Sequence, residues 1–144
     1  NMNIIQSFKL KVIDERDPLP LYSGDLSCGL FGISEDFVES YLSLDQKFMK
    51  NKESTFFVRA SGDSMLPEIK TDDILIVDRS YKALDGSIVA AFYNGNPLCK
   101  KLYQRGDDCR LQSFNKTYSD IIITEDDDLQ IFGVIIGVAR DFRR

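Results

Sequence analysis

The 144-residue chain carries 18 Lys and Arg against 23 Asp and Glu, a net charge of −5, with 43% hydrophobic residues and no histidine. A chain of this length suits one domain with a core of its own, and the lack of histidine excludes a Ser-His-Asp triad, a Cys-His nucleophile pair and histidine-ligated zinc. The negative charge argues against direct, non-specific binding to DNA, which draws on many Lys and Arg contacts to phosphate. The cysteines Cys28, Cys99 and Cys109 are odd in number and lack CxxC spacing, so neither a disulfide framework nor a metal site is expected.

In chain order, Asn1 ahead of Met2 reads as the remnant of an expression tag, so that Met2 is expected to be the natural start. No run of 18 apolar residues occurs and the first residues are too polar for a signal peptide, so a cytoplasmic protein is expected. Phe8-Lys9-Leu10-Lys11-Val12 alternates and fits an edge strand. Residues 14–32 are rich in Asp, Pro, Gly and Ser and have little periodicity, which predicts an exposed, mobile segment. Residues 34–44 form the one helix candidate: Ser34 can cap it, Glu35 and Asp36 suit its positive end, and Phe37, Val38, Tyr41 and Leu42 make one apolar stripe for core or dimer packing. Lys47, Lys50, Lys52 and Glu53 then mark a solvated linker. The expected division is an N-terminal arm over 1–33 and a β domain over 34–144.

From residue 56 onward, strands are expected at 56–60, 74–78, 87–93, 98–103, 110–114, 120–123 and 129–140. Asp85-Gly86, Asn94-Gly95, Gly106-Asp107-Asp108 and the acidic run 125–128 supply the turns between them. Short strands joined by turns predict a mainly β fold and not a βαβ repeat. Four consecutive carboxylates cannot all point inward, so the run 125–128 is expected to be a solvated turn.

Two stretches carry candidate chemistry. Ser61-Gly62-Asp63-Ser64-Met65 lies between the strand at 56–60 and Leu66-Pro67-Glu68-Ile69, which has room for little more than one helical turn. Ser64 therefore sits where a strand ends and a turn begins, a place where unpaired backbone N–H groups can hold developing negative charge. The same residue types also build ordinary turns, and both readings are open. Without histidine, a serine nucleophile needs another base, and the known substitute is a lysine amine. Lys100 is the candidate. Leu98, Lys100 and Leu102 share one face of their strand, while Cys99, Lys101 and Tyr103 share the other. A lysine between two inward leucines loses hydration, which lowers its pKa toward that of a working base. A one-residue slip would exchange Lys100 for Lys101, and the side chain could also snorkel outward.

Taken together, Ser61-Gly62-Asp63-Ser64-Met65, Thr71-Asp72-Asp73-Ile74-Leu75-Ile76-Val77-Asp78, Asp85-Gly86-Ser87-Ile88-Val89, Lys100-Lys101-Leu102 and Phe132-Gly133-Val134-Ile135-Ile136-Gly137-Val138 resemble the LexA/UmuD family of self-cleaving serine–lysine peptidases (peptidase S24). The likeness runs from about residue 56 to the end, with the blocks in the family's order. It implies twisted β-sheets like the LexA/UmuD C-terminal domain, with one short helix and an extended N-terminal arm. It implies Ser64 as nucleophile and Lys100 as general base, with the backbone around Asp63 and Ser64 as oxyanion hole and no metal or cofactor. It also implies a scissile bond upstream between a small residue and glycine, which Cys28-Gly29 fits; both offsets, 64 − 28 and 100 − 64, equal 36.

Only 28 residues precede Gly29, too few for a three-helix DNA-binding module, and Pro18 and Pro20 break any helix there. That arrangement resembles the UmuD branch. It implies an accessory protein of the SOS response and of error-prone translesion synthesis: a homodimer that clips itself, partners a Y-family (UmuC-like) DNA polymerase and is triggered by a RecA–single-stranded-DNA filament. It binds neither membrane nor specific DNA sequences on this reading. The alternatives are a fragment of a LexA-like transcriptional repressor, a peptidase acting in trans like the type I signal peptidases, and an interaction module that does not cleave.

Overall fold

The computed structural model describes residues 18–22 and 38–143. They belong to two units, Asn1–Lys47 and Phe48–Arg144. The predicted strand at 8–12, the cap at Ser34, and Cys28 and Gly29 lie outside the described residues.

In the first unit, β1 (Leu19–Tyr22) pairs antiparallel with β2 (Val38–Leu42), Leu19 standing opposite Leu42 and Pro20 opposite Tyr41. This corrects two expectations. The segment 14–32 contains a strand, and the helix expected over 34–44 is a strand where it is described. The stripe Phe37, Val38, Tyr41, Leu42 suits a helix, but a short apolar run suits a strand equally well. Val and Tyr favour extended backbone, an isolated helix this short is marginal in water, and β1 offers backbone partners. A single helical turn, α1 (Leu44–Phe48), begins only after β2; Ser43 caps it, its carbonyl accepting from Lys47 N–H at 2.9 Å.

The second unit is built on one antiparallel sheet. Its strands are β3 (Thr55–Arg59), β4 (Ile74–Asp78), β5 (Ile88–Tyr93), β6 (Asn96–Arg105), β7 (Asp108–Gln112), β8 (Ile121–Ile122) and β9 (Leu129–Ala139). The spatial order is β3-β4-β9-β5-β6-β7-β8. All seven strands expected here are present, with ends displaced by a few residues. A 3-10 turn at Lys52–Ser54 stands where the solvated linker was expected. Asn94 and Gly95 take φ 49° and 82°, the two positive values a two-residue hairpin requires, and join β5 to β6. The acidic run forms a turn: Asp127 accepts from Thr124 N–H at 2.8 Å and from Asn94 Nδ2 at 3.0 Å.

β9 inserts between β4 and β5, so the last strand joins β3-β4 to β5-β6-β7-β8 in one open sheet. The approach is close: a side chain at Gly133 would meet Val77 Cγ1 at 2.7 Å. At the far end of the same contact, Arg140 beyond β9 donates twice to the buried Asp73 before β4, at 2.5 and 2.6 Å. That guanidinium holds the Asp73 carboxyl below its ordinary pKa.

Two apolar clusters cover the sheet. Met65, Ile69, Leu75, Val77 and Ile135 form one; Val89, Ala91, Leu102 and Leu111 form the other. β5 and β6 feed both. Ala90 and Cys99 pack on the first cluster, Val89, Leu98 and Leu102 in the second. Successive residues of a strand face opposite ways, so the middle of these strands is covered on both sides and a charge there, such as Lys100, is set among apolar neighbours, while Arg105 at the end of β6 stays exposed.

Candidate functional site

Ser64 lies in the connection from β3 to β4, and that connection is pinned at both ends. Ala60 N–H donates to the Asp73 carbonyl at 2.8 Å, and Asp72 N–H donates back to Ala60 at 2.9 Å. Inside the closed loop, Gly62 takes φ +85° with open space where a Cβ would sit, so backbone angle and not crowding demands glycine. The chain then makes a turn that is not a helix, passing through a cis Leu66–Pro67 bond, with Ile69 N–H donating to Met65 O at 3.0 Å. Met65 and Ile69 are buried and anchor that turn in the first cluster, leaving Ser64 half-buried at its start.

Lys100 lies in the middle of β6, opposite Val89 of β5. It is 8% exposed, and Leu102 on the same face is also buried. Lys101 faces the other way and is half-buried, its Nζ 6.0 Å from the Phe114 ring. The pleat thus selects the first lysine of the pair for burial. Desolvation lowers the Lys100 pKa, with the Cys99 thiol a smaller opposing influence. Burial pushes Cys99 itself up to about 11, so it is a neutral thiol near pH 7.

The stretch after β7, whose first two residues were expected inside a strand at 110–114, touches both residues. Lys100 Nζ donates to Ser113 Oγ at 2.8 Å, and Ser113 is itself 9% exposed. Two residues on, Asn115 N–H donates to the Ser64 carbonyl at 2.9 Å and its Nδ2 donates to the Asp63 carbonyl at 3.0 Å. The Tyr118 ring lies 5.5 Å from Lys100 Nζ, and the Tyr118 hydroxyl donates to the Asp63 carboxylate. That carboxylate raises the Tyr118 pKa. Segment 113–118 therefore ties the peptide planes on either side of Ser64 to the wall that holds Lys100. The only sequence signal for it was Asn115 followed two residues later by Thr117, a turn pattern in which Asn115 Oδ1 accepts from Thr117 N–H at 3.1 Å.

A groove of about 520 Å³ opens beside Ser64. Ser61, Gly62 and Ser64 give it a polar end, while Leu75, Leu98 and Phe132 contribute to an apolar wall. Such a groove suits an extended apolar peptide whose backbone reaches the serine.

A mainly β domain with a serine on a pinned turn and a lysine buried in the adjoining sheet carries the two residue types that serine peptidases without histidine use. The Peptidase S24-like family model matches residues 20–136, and the chain belongs to that family of self-cleaving serine peptidases. It is 33% identical over 135 residues to the LexA repressor of Syntrophobacter fumaroxidans, covering 88% of this chain and 64% of that protein. It is 31% identical over 126 residues to the LexA repressor of Thermotoga sp. strain RQ2, covering 87% of this chain and 63% of that protein. The LexA repressor of Clostridium kluyveri is 30% identical over 120 residues, covering 83% and 58%. The chain thus spans roughly three-fifths of the length of the curated relatives it matches. Among the described residues, no helix is long and apolar enough to cross a membrane.

Proposed function

We propose that Ser64 and Lys100 form a serine–lysine dyad that cuts the chain's own Cys28–Gly29 bond. The observation that carries this reading is the buried Lys100, whose pKa is lowered by desolvation, tied through segment 113–118 to the turn that bears Ser64. Residues around Cys28-Gly29 dock in the apolar groove, with Gly29 allowing close backbone approach. Neutral Lys100 takes the Ser64 proton as Oγ attacks the Cys28 carbonyl carbon. Backbone N–H groups of Asp63 and Ser64 hold the oxyanion. The carbon–nitrogen bond then breaks, Lys100 returns the proton to the departing Gly29 amine, and water hydrolyses the acyl-enzyme. Cys28 is substrate in this scheme.

The relatives are named repressors, which favours a LexA-like role, in which self-cleavage inactivates an SOS repressor, over the UmuD-like role in translesion synthesis. A homodimer and triggering by a RecA–single-stranded-DNA filament accompany either branch, whereas a Y-family polymerase partner belongs to the second. Two measurements test the reading. The rate of self-cleavage rises with pH as the lysine loses its proton; a rate flat from neutral to alkaline pH refutes the amine base. Sequencing the complete gene separates the branches, since a helix-turn-helix module encoded upstream selects the repressor and its absence selects the accessory protein.

A further inference from the structure

Resting on the dyad reading, we infer that Ser113 is a positioning residue for the catalytic amine: its hydroxyl accepts one N–H of Lys100 and so fixes the direction in which the Lys100 lone pair points. The Lys100–Ser113 hydrogen bond is 2.8 Å long, and the two residues are 8% and 9% exposed. Water therefore has little access to substitute for either partner. The β6–β7 register pairs Lys101 with Gln112, the last residue of β7, so the next residue, Ser113, comes beside Lys100.

The chemistry gives this contact a role beyond packing. A lysine side chain ends in a rotor, and a free amine could aim its lone pair at any azimuth about the Cε–Nζ bond. An ammonium has no lone pair and can only donate. Once it loses a proton to become the base, two N–H groups and one lone pair remain. Holding one N–H on Ser113 Oγ restricts where the lone pair can lie. The other polar groups near Nζ do not do this. The Cys99 thiol is on the opposite face of β6, and Tyr118 presents its ring while spending its hydroxyl on Asp63. Lys101 and its neighbour Phe114 are also on the far face. Among the described residues around Lys100, Ser113 is thus the one that holds the amine by a directed hydrogen bond.

The consequence for protonation has a sign. A hydroxyl acceptor stabilises an ammonium more than a neutral amine, so Ser113 holds the Lys100 pKa higher than burial alone would leave it. Removing the acceptor lowers the pH at which Lys100 becomes neutral and also lowers the rate reached once it is neutral. A residue that only fills space changes neither the midpoint nor the ratio of the two.

The test uses Ser113→Thr, which keeps the hydroxyl, and Ser113→Val, which has nearly the same shape without it; circular dichroism establishes that both fold. In a Ser64→Ala background, which removes the nucleophile, the Lys100 titration is followed by NMR of chains labelled at lysine Cε. The Val variant is expected to titrate about one unit lower than the Ser or Thr forms, on the scale of a lost hydrogen bond to a charged group. Equal midpoints overturn the proposal whether or not the chain cleaves itself. With Ser64 intact, the plateau rate of self-cleavage is expected to fall roughly tenfold or more in the Val variant and to be largely restored by Thr. A Val variant that cleaves as fast as wild type, or faster, shows that the hydroxyl does not direct the lone pair. A chain with serine at both 64 and 113 that never cleaves refutes the dyad reading, while the NMR midpoints still decide whether Ser113 holds the amine.

Discussion

Replacing Lys100 with methionine keeps the length of the side chain and removes its charge, and the structure dictates how the effect on stability varies with pH. Lys100 is 8% exposed and its pKa is lowered by burial. Between the folded-state pKa and the unfolded value near ~10.4, the unfolded chain binds more protons at this residue than the folded one. The Lys100 protein therefore gains stability as pH rises through that window, at up to about 1.4 kcal/mol per pH unit. Below the folded pKa both states are protonated, and the full penalty for burying the ammonium applies. Methionine carries no such penalty at any pH. Loss of the hydrogen bond to Ser113 subtracts ~1 kcal/mol or more from the gain, most while Lys100 is charged, without reversing it. The stability difference, Lys100→Met minus Lys100, is thus largest at low and neutral pH and shrinks toward pH ~10.4. Urea unfolding followed by far-ultraviolet circular dichroism at several pH values reads it, in a Ser64→Ala background so that the chain stays whole. Lys101→Met is the control, since that side chain lies on the other face and is half-buried. A difference independent of pH between 7 and 10, or one that tracks Lys101 instead, refutes the reasoning.

Arg140→Ala removes the group that holds the Asp73 pKa down. A carboxylate with a depressed folded pKa contributes stability above its unfolded pKa and loses it as pH falls through the folded one; without Arg140, acid unfolding monitored by circular dichroism is expected at higher pH, and an unmoved midpoint contradicts the assignment. Leu111→Ala empties a position that is 0% exposed in the second cluster and is expected to lower stability by about 2–5 kcal/mol in urea unfolding, whereas a loss under ~1 kcal/mol would mean that the neighbours collapse into the space.

The sheet was legible because each of its strands is short, apolar and bounded by its own turn chemistry. Asn94-Gly95 marked where β5 reverses into β6 and so which residues pair, Lys100 with Val89, but which face of the pair is buried stayed open until the fold placed Lys100 inward and Lys101 away. The order of the strands was not legible: nothing local says that β9 enters between β4 and β5, an arrangement seen only through contacts such as Gly133 against Val77. The helix expected over 34–44 failed for a related reason, since the pairing of 38–42 with 19–22 is non-local and the apolar run fits both periods. At the site, Ser64 and Lys100 stood out because each breaks a pattern, a polar turn after an apolar strand and a cation on an apolar face. Ser113, Asn115 and Tyr118 break none. Ser113 reads as an ordinary residue of the strand expected at 110–114, and Asn115 and Tyr118 as loop, until the fold brings them against Lys100, Ser64 and Asp63.

In the proposed reaction Ser64 and Lys100 act together on one bond of their own chain. Intact-mass spectrometry with N-terminal sequencing, after alkaline incubation of wild type, Ser64→Ala and Lys100→Ala, tests it most directly. The expected result is a wild-type fragment beginning at Gly29 and two variants that stay whole. A wild-type chain that remains intact, a cut at another bond, or cleavage that persists in either variant contradicts it.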